Sequence, residues 1–487
     1  MGENPYETKE ETQEDAQNKD EGLAPPSPQK PSKNPYVNGN FPADVKTEQK
    51  RSRVAQYISA IAVAICAFLF GLLLGQAFVE PEMRALMRVK NKIQKEYYQE
   101  ISDEAFYDAV YKAINENLLD EYSYYMSAEE YSATTEEGKG KRSGVGLVFR
   151  TADAAGNPQM YITRVCGNSP AENAQIRDGG YLTGFGDKET EIRDSVIFDE
   201  FADYLSGKAD GETFYVRIRM GEESKIYSLM KSEYVESYAF YRSKTTAYGF
   251  GGKDATEMVE KGEPLASLPD DTAYIRLVQF NGAAATEFAS LMKTFRQEGK
   301  KNLILDLRGN GGGYLDIMLK IAAYFCKDSA DNKPVVAIAD YGDHRESFSA
   351  AGNYYDDYFS KDSRICVLAD NATASASECL IGCMLDYGTI AYGDLCLIER
   401  GGVAKTYGKG IIQTTYPLVL GGGAVKLTTA EILWPKGNCI NGRGVLPADG
   451  ALTAAENESS DAEISLALQA LFAPKTEETK NGDLGVL

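Results

Sequence analysis

At 487 residues the chain exceeds the roughly 100–200 residues of one ordinary domain, and its 43% hydrophobic content can fill packed cores over most of that length. A formal net charge of −21 repels phosphate backbones and argues against nucleic-acid partners. The single histidine, His344, excludes a multi-histidine metal site, and none of the eight cysteines forms a C-x-x-C pair, so zinc knuckles and thioredoxin-like chemistry lack support.

Residues 1–53 are polar, charged and proline-rich, with Pro25, Pro26, Pro28 and Pro31 close together; too little apolar surface is present to offset chain entropy, which predicts a disordered tail. Within residues 54–79, the run from Tyr57 to Gly75 holds 19 residues without a charge. As a helix it reaches roughly 28 Å, about one hydrocarbon core, and it shows no amphipathic face. It reads as a single transmembrane signal anchor rather than a cleaved leader, because it is long and far from the N-terminus. Lys46, Lys50, Arg51 and Arg53 precede it, a slight preference for a cytoplasmic N-terminus.

Residues 84–135 read as a helical region; "EAFYDAVYKAINENLL" has apolar residues at helical spacing. From about 137 to 231 the pattern becomes short strands, "GVGLVF", "MYITRV" and "FYVRIRM", with two short helices among them. One helix starts at Ser169-Pro170 and the other ends at Gly207. Residues 234–450 alternate strand and helix, which predicts an α/β core: "TAYIRLVQF", "AAATEFASLMKTFRQEG", "KNLILDLRG", "YLDIMLKIAAYF", "PVVAIA", "RICVLAD". Residues 451–487 hold a helix-like "DAEISLALQALF" and a polar tail.

Three stretches carry chemistry. "LRGNGGGY" sets Gly309, Gly311, Gly312 and Gly313 between a buried strand and a helix, where backbone N–H groups can face a ligand. It lacks the Lys-Ser/Thr of a phosphate loop, and an oxyanion site is an equally physical use. "NATASASE" places Ser375 at a helix start, where free N–H groups favour an anion. Ser375-x-x-Glu378 is also a capping box, and taken alone capping comes ahead of catalysis. His344 lies in polar "YGDHRESFSA" and reads as a surface residue, so a serine nucleophile would need a lysine base. "KTYGKGIIQ" offers Lys405 and Lys409, with Lys409, Ile411 and Gln413 on one face of a strand beginning near Gly410. A lysine base must be neutral near pH 7, which costs about 4–5 kcal/mol of differential solvation.

Together "LLDEYSYYMSAEEY", "SGVGLVF…VCGNSPAENAQIRDGGYLTGFGD", "AYIRLVQF…LILDLRGNGGG", "TASASE", "YGKGIIQ" and "GRGVLPAD" form an ordered series that resembles the carboxyl-terminal processing (tail-specific) proteases, the S41 serine peptidases. The resemblance covers roughly residues 84–450. It implies an α/β protease core of the ClpP/crotonase-like ββα kind with an inserted PDZ domain over 137–231, behind the helical region and the transmembrane helix. It assigns Ser375 as nucleophile, Lys409 as general base and Gln413 as its orienting partner. Ser377 would be structural. The backbone N–H groups of Ala376 and Gly313 would form the oxyanion hole, with Gly312 as the fallback. Gly144, Val145, Gly146 and Leu147 match the PDZ loop that holds a substrate's terminal carboxylate.

The implied protein is a bacterial, single-pass membrane serine endopeptidase whose reaction needs no metal or organic cofactor. Its catalytic domain is extracytoplasmic, and it acts on protein substrates through their C-termini. Its partners are those substrates and the lipid bilayer, and a homo-oligomer is left open. The rival reading is an inactive PDZ-bearing scaffold on a protease-like core. One departure from the family pattern is the long stretch before Lys409, with extra residues expected near 395–404.

Overall fold

In the run Asn302–Asp306 every residue is buried, and its side chains alternate between two cores. Leu303 and Leu305 face one, Ile304 the other. That pattern belongs to the centre of a parallel sheet covered on both faces. The computed structural model describes residues 56–71, 79–153, 155–327, 329–419, 422–457 and 460–472. The expected disordered tail and the terminal residues 473–487 lie outside these, as do residues 72–78 of the expected membrane span.

The chain divides into two compact units after Ser102. The first contains a helix over residues 56–71, on which large apolar side chains such as Ile58, Val63, Phe68 and Phe70 are exposed. Among the described residues no helix is long and apolar enough to cross a membrane. A second helix, Pro81–Glu96, starts on proline with Glu82 in its first turn and Lys95 in its last, as the helix dipole favours.

The second unit is built on an eight-stranded sheet. Its parallel part runs Thr272–Leu277, Asn302–Asp306, Ile365–Asp370, Leu395–Ile398, Leu452–Ala454. Helices Ala284–Gln297, Leu315–Ala322 and Ala376–Asp386 contribute to the larger core, which includes Phe288, Phe295, Ile317 and Leu380. Helix Ser460–Phe472 covers the opposite face through Ile464, Ala467 and Leu471. Leu395–Ile398 is therefore a fully buried core strand. The stretch before Lys409 thus divides into this strand and the turn after it. The turn after Ile398 folds on itself through paired hydrogen bonds between Arg400 and Val403.

A second, antiparallel sheet joins Tyr124–Met126, Ala424–Leu433, Val335–Asp340 and Arg345–Ser349, with Ile411–Pro417 also paired to Ala424–Leu433. Tyr124–Met126 falls inside the region expected to be helical. It is a strand because Tyr124 pairs with Lys426 and Met126 with Ala424, a tertiary pairing that local periodicity does not show.

Residues Lys141–Val235 form a β-rich module with its own core of Met160, Ile162, Phe185, Phe201, Phe214 and Val216. The module leaves and returns to the α/β core at one place, because Lys141–Gly144 pairs with Ser232–Val235. At that junction the buried Glu236 carboxylate is paired with Arg142 and Arg164.

Candidate active site

The site lies where the glycine turn after Asp306 meets the turn after Asp370. Side-chain hydroxyls and amides stitch the two turns together. Thr373 Oγ1 donates to Leu307 O at 2.8 Å, Gly309 N to Asp370 Oδ1 at 2.9 Å, and Ala374 N to Asn310 O at 3.0 Å. Ser377 is fully buried and its Oγ donates to Asn310 O at 2.9 Å. Its hydroxyl is therefore committed to structure.

Ser375 differs in each respect. It is half-buried, and its backbone sits at φ +56°, ψ −117°, a conformation rarely adopted by residues with a Cβ. Strain of this kind, of order 1–3 kcal/mol, persists only where the surroundings enforce it, and it clusters at functional sites. The Ser375 side chain makes no capping hydrogen bond. Only the carboxylate half of the expected capping box forms, with Ser375 N donating to Glu378 Oε2 at 3.0 Å. The hydroxyl is thus left for other chemistry.

Glu378 is buried and does more than cap. The same Oε2 accepts from Lys409 N at 2.9 Å, while Oε1 accepts from Gly408 N at 2.8 Å and Thr406 Oγ1 at 2.5 Å. Burial pushes this carboxyl up, and the four donors oppose the shift. One carboxylate therefore ties the backbone of Ser375 to the backbone of Lys409. The capping spacing points to Glu378, but nothing local announces its three further donors, Thr406, Gly408 and Lys409, about thirty residues on.

Lys409 lies just ahead of the strand Ile411–Pro417, so its placement comes from Glu378 rather than from strand alternation. Burial, and then the charge of Lys426, hold its amine below the usual lysine range; Glu121 and Asp120 pull the other way. The amine lies over the ring of Tyr122, 4.3 Å from its centroid. Among the described residues it is not hydrogen-bonded to Ser375 or to Gln413. Gln413 sits at an irregularity in the pairing with Ala424–Leu433, and its Nε2 is buried without a hydrogen-bond partner.

The glycine turn reaches Ser375 through Gly312. At φ +101°, a Cβ on Gly312 would lie 2.9 Å from Ser375 Cβ and 3.0 Å from Ala376 N, so only glycine fits. The Gly312 N–H is occupied, donating to Asn310 Oδ1 at 3.0 Å. Among the described residues the N–H groups of Gly313 and Ala376 have no acceptor. His344 is on the surface beside Asp343 and stacked on Tyr341, and Lys405 lies four residues before Lys409 in the same segment.

Gly144, Val145, Gly146 and Leu147 are not part of this cluster. They line a groove of about 480 Å³ on the β-rich module, with Phe149, Phe198 and Phe201 along it. Gly146 is at φ +79° and is backed by Ser169, whose Cβ would lie 2.2 Å from an added Cβ.

A family model described as "Peptidase family S41" matches residues 271–449. A "Probable CtpA-like serine protease" of Staphylococcus haemolyticus (strain JCSC1435) is 27% identical over 333 residues, 68% of this chain and 57% of that protein. A "C-terminal processing peptidase, chloroplastic" of Tetradesmus obliquus is 28% identical over 330 residues, 67% of this chain and 64% of that protein. The chain thus spans about three fifths of the length of these curated relatives. Among solved structures, a "Photosystem II D1 C-terminal processing protease" aligns with 77% of this chain and 94% of its own, at 19% identity and a TM-score of 0.44. Residues 271–449 thus match the peptidase family S41 model, and the chain is related to the C-terminal processing proteases.

Proposed function

We propose that this protein is a serine endopeptidase that cleaves protein substrates near their C-termini through Ser375 and Lys409. The observation that carries this reading is the Glu378 clamp, which holds a strained, uncapped serine and a half-buried lysine on a single carboxylate. In the reaction, neutral Lys409 removes the Ser375 hydroxyl proton as Oγ attacks the peptide carbonyl carbon. The resulting oxyanion accepts hydrogen bonds from the N–H groups of Gly313 and Ala376. Gly313 is preferred to Gly312 as donor because the Gly312 N–H is already satisfied by Asn310. The Lys409 ammonium protonates the leaving amine. Water, deprotonated by the same lysine, then hydrolyses the acyl ester. Gln413 turns its amide oxygen to the Lys409 amine; its Nε2 is buried and has no hydrogen-bond partner that fixes the amide otherwise.

The β-rich module serves as a PDZ domain that captures the substrate's free C-terminus. Its groove combines the Gly144–Leu147 loop with an aromatic floor and suits an apolar terminal residue. The uncharged run beginning at Tyr57 anchors the chain in a bacterial cell membrane, with the catalytic domain outside the cytoplasm. The test compares a peptide ending in a free apolar residue with its C-terminal amide. The full chain is expected to cleave the acid at least tenfold more efficiently, through KM, and Lys409→Ala to cleave neither. Tight binding of the acid with no cleavage by the wild type would favour a scaffold instead.

A further inference from the structure

Tyr122 lies in the turn leading into the strand Tyr124–Met126 and is fixed at three points. Its N–H donates to Asp120 Oδ1 at 3.0 Å. The next residue, Ser123, accepts at Oγ from Thr428 N at 2.8 Å. Its own hydroxyl pairs with the Tyr407 hydroxyl at 3.1 Å. Tyr407 is in turn anchored to the nucleophile turn, its N–H donating to Thr373 O at 2.9 Å. The Tyr122 ring is thus held against the segment that presents Lys409, and the Lys409 amine rests over the ring face at 4.3 Å from the centroid.

A lysine ammonium over an aromatic face is attracted by the ring quadrupole, and a neutral amine is not. The remaining charges around Lys409 are few. Lys426, on Ala424–Leu433, disfavours the ammonium, and Asp120 and Glu121, in the turn before Tyr122, favour it. The nearby phenol of Tyr122 is pushed up by its bond to Tyr407 and by burial.

We propose that Tyr122 is a positioning residue of the peptidase site: its ring face receives the Lys409 ammonium and thereby sets the pH at which the base becomes available. The proposal rests on Lys409 being the base. Between turnovers the ring holds the protonated lysine aside. During turnover it steadies the ammonium that forms when Lys409 takes the serine proton. The ring, rather than the hydroxyl, does this.

The experiment is the pH profile of kcat/KM for the full chain on one peptide without groups titrating between pH 5 and 10, as order-of-magnitude limits for the lysine. The set is wild type, Tyr122→Phe, Tyr122→Leu, Tyr122→Trp and Lys409→Ala. Loss of the ring in Tyr122→Leu is expected to move the acid limb down by about 0.5–1.5 pH units. Tyr122→Phe should leave the limb near its wild-type position, and Tyr122→Trp should hold it there or raise it. If Tyr122→Leu does not fold, the order of Phe, Tyr and Trp still tests the claim. Acid limbs that coincide across the series, with Lys409→Ala inactive, would overturn the role of Tyr122 and leave the dyad standing. A Lys409→Ala enzyme with the wild-type profile would overturn both, through the dyad.

Discussion

Glu378→Gln perturbs the site with almost no change in shape. Each carboxylate oxygen serves two donors: Thr406 Oγ1 and Gly408 N on one, Ser375 N and Lys409 N on the other. Glutamine can keep only one oxygen, so its NH₂ must face one of these donor pairs. In either orientation at least one backbone N–H loses its acceptor and meets another donor. A buried donor left unsatisfied costs about 1–3 kcal/mol, and relief of the buried charge offsets part of this. We therefore expect a stability loss of about 2–4 kcal/mol, small enough to leave a protein of ordinary stability, ~5–15 kcal/mol, folded. If the NH₂ faces the Ser375–Lys409 pair, the nucleophile and base lose their common tether, and misplacement on the 1 Å scale costs about 100-fold in rate. If it faces Gly408, the neighbouring Lys409 shifts with it. The assay is a urea midpoint for stability beside kcat and KM on a peptide with a free apolar C-terminus. KM should move less than kcat, because the groove residues do not touch Glu378. A kcat within threefold of wild type in a folded variant would refute the clamp as the device that aligns the site.

Other outcomes follow from single contacts. Ser377→Ala removes the bond to Asn310 O and should lower stability by about 1–2 kcal/mol while keeping most activity, in contrast to Ser375. Gly312→Ala should reduce kcat at least 100-fold, because its Cβ would lie 2.9 Å from Ser375 Cβ at a backbone conformation alanine resists; wild-type kcat would contradict the proposed close approach. Glu287 is buried, with its carboxyl pushed up to about 8 by burial, against the two N–H groups of Tyr238 and Ala239. Its folded value lies above its unfolded value of 4.5, so its contribution to stability is complete below that value and is lost as pH rises to about 8. Unfolding free energies from urea titrations should fall across that window by up to ~1.4 kcal/mol per pH unit, and Glu287→Gln should flatten the slope.

The strands of the α/β core were legible because buried parallel strands read as apolar runs, as in "LILDL" and "ICVLA". The helix starting after Ser375 was legible from its cap spacing, but the cap itself was half wrong: Glu378 bonds the Ser375 N–H, and the hydroxyl stays out of it. What escaped was whatever depends on a distant partner. Tyr124–Met126 becomes a strand only by pairing with residues three hundred positions away. Tyr122 meets Lys409 across a similar separation, and no local pattern marks it. The "LCLI" run before Lys409 is short and flanked by charges, so its place in the core sheet appears only once its neighbours Val367 and Thr453 are known. The groove of the β-rich module was anticipated from "SGVGLVF", but the aromatic floor supplied by Phe198 and Phe201 comes from a helix about fifty residues later.

The central claim is that the Ser375 hydroxyl is the attacking group. The most direct measurement is the rate of peptide cleavage by Ser375→Ala set against wild type and Ser377→Ala, with each protein shown to be folded by its urea transition. We predict that Ser375→Ala loses at least three orders of magnitude in kcat, the scale expected when a nucleophile is removed, and that Ser377→Ala retains most of it. Cleavage by folded Ser375→Ala at a rate near wild type would contradict the account.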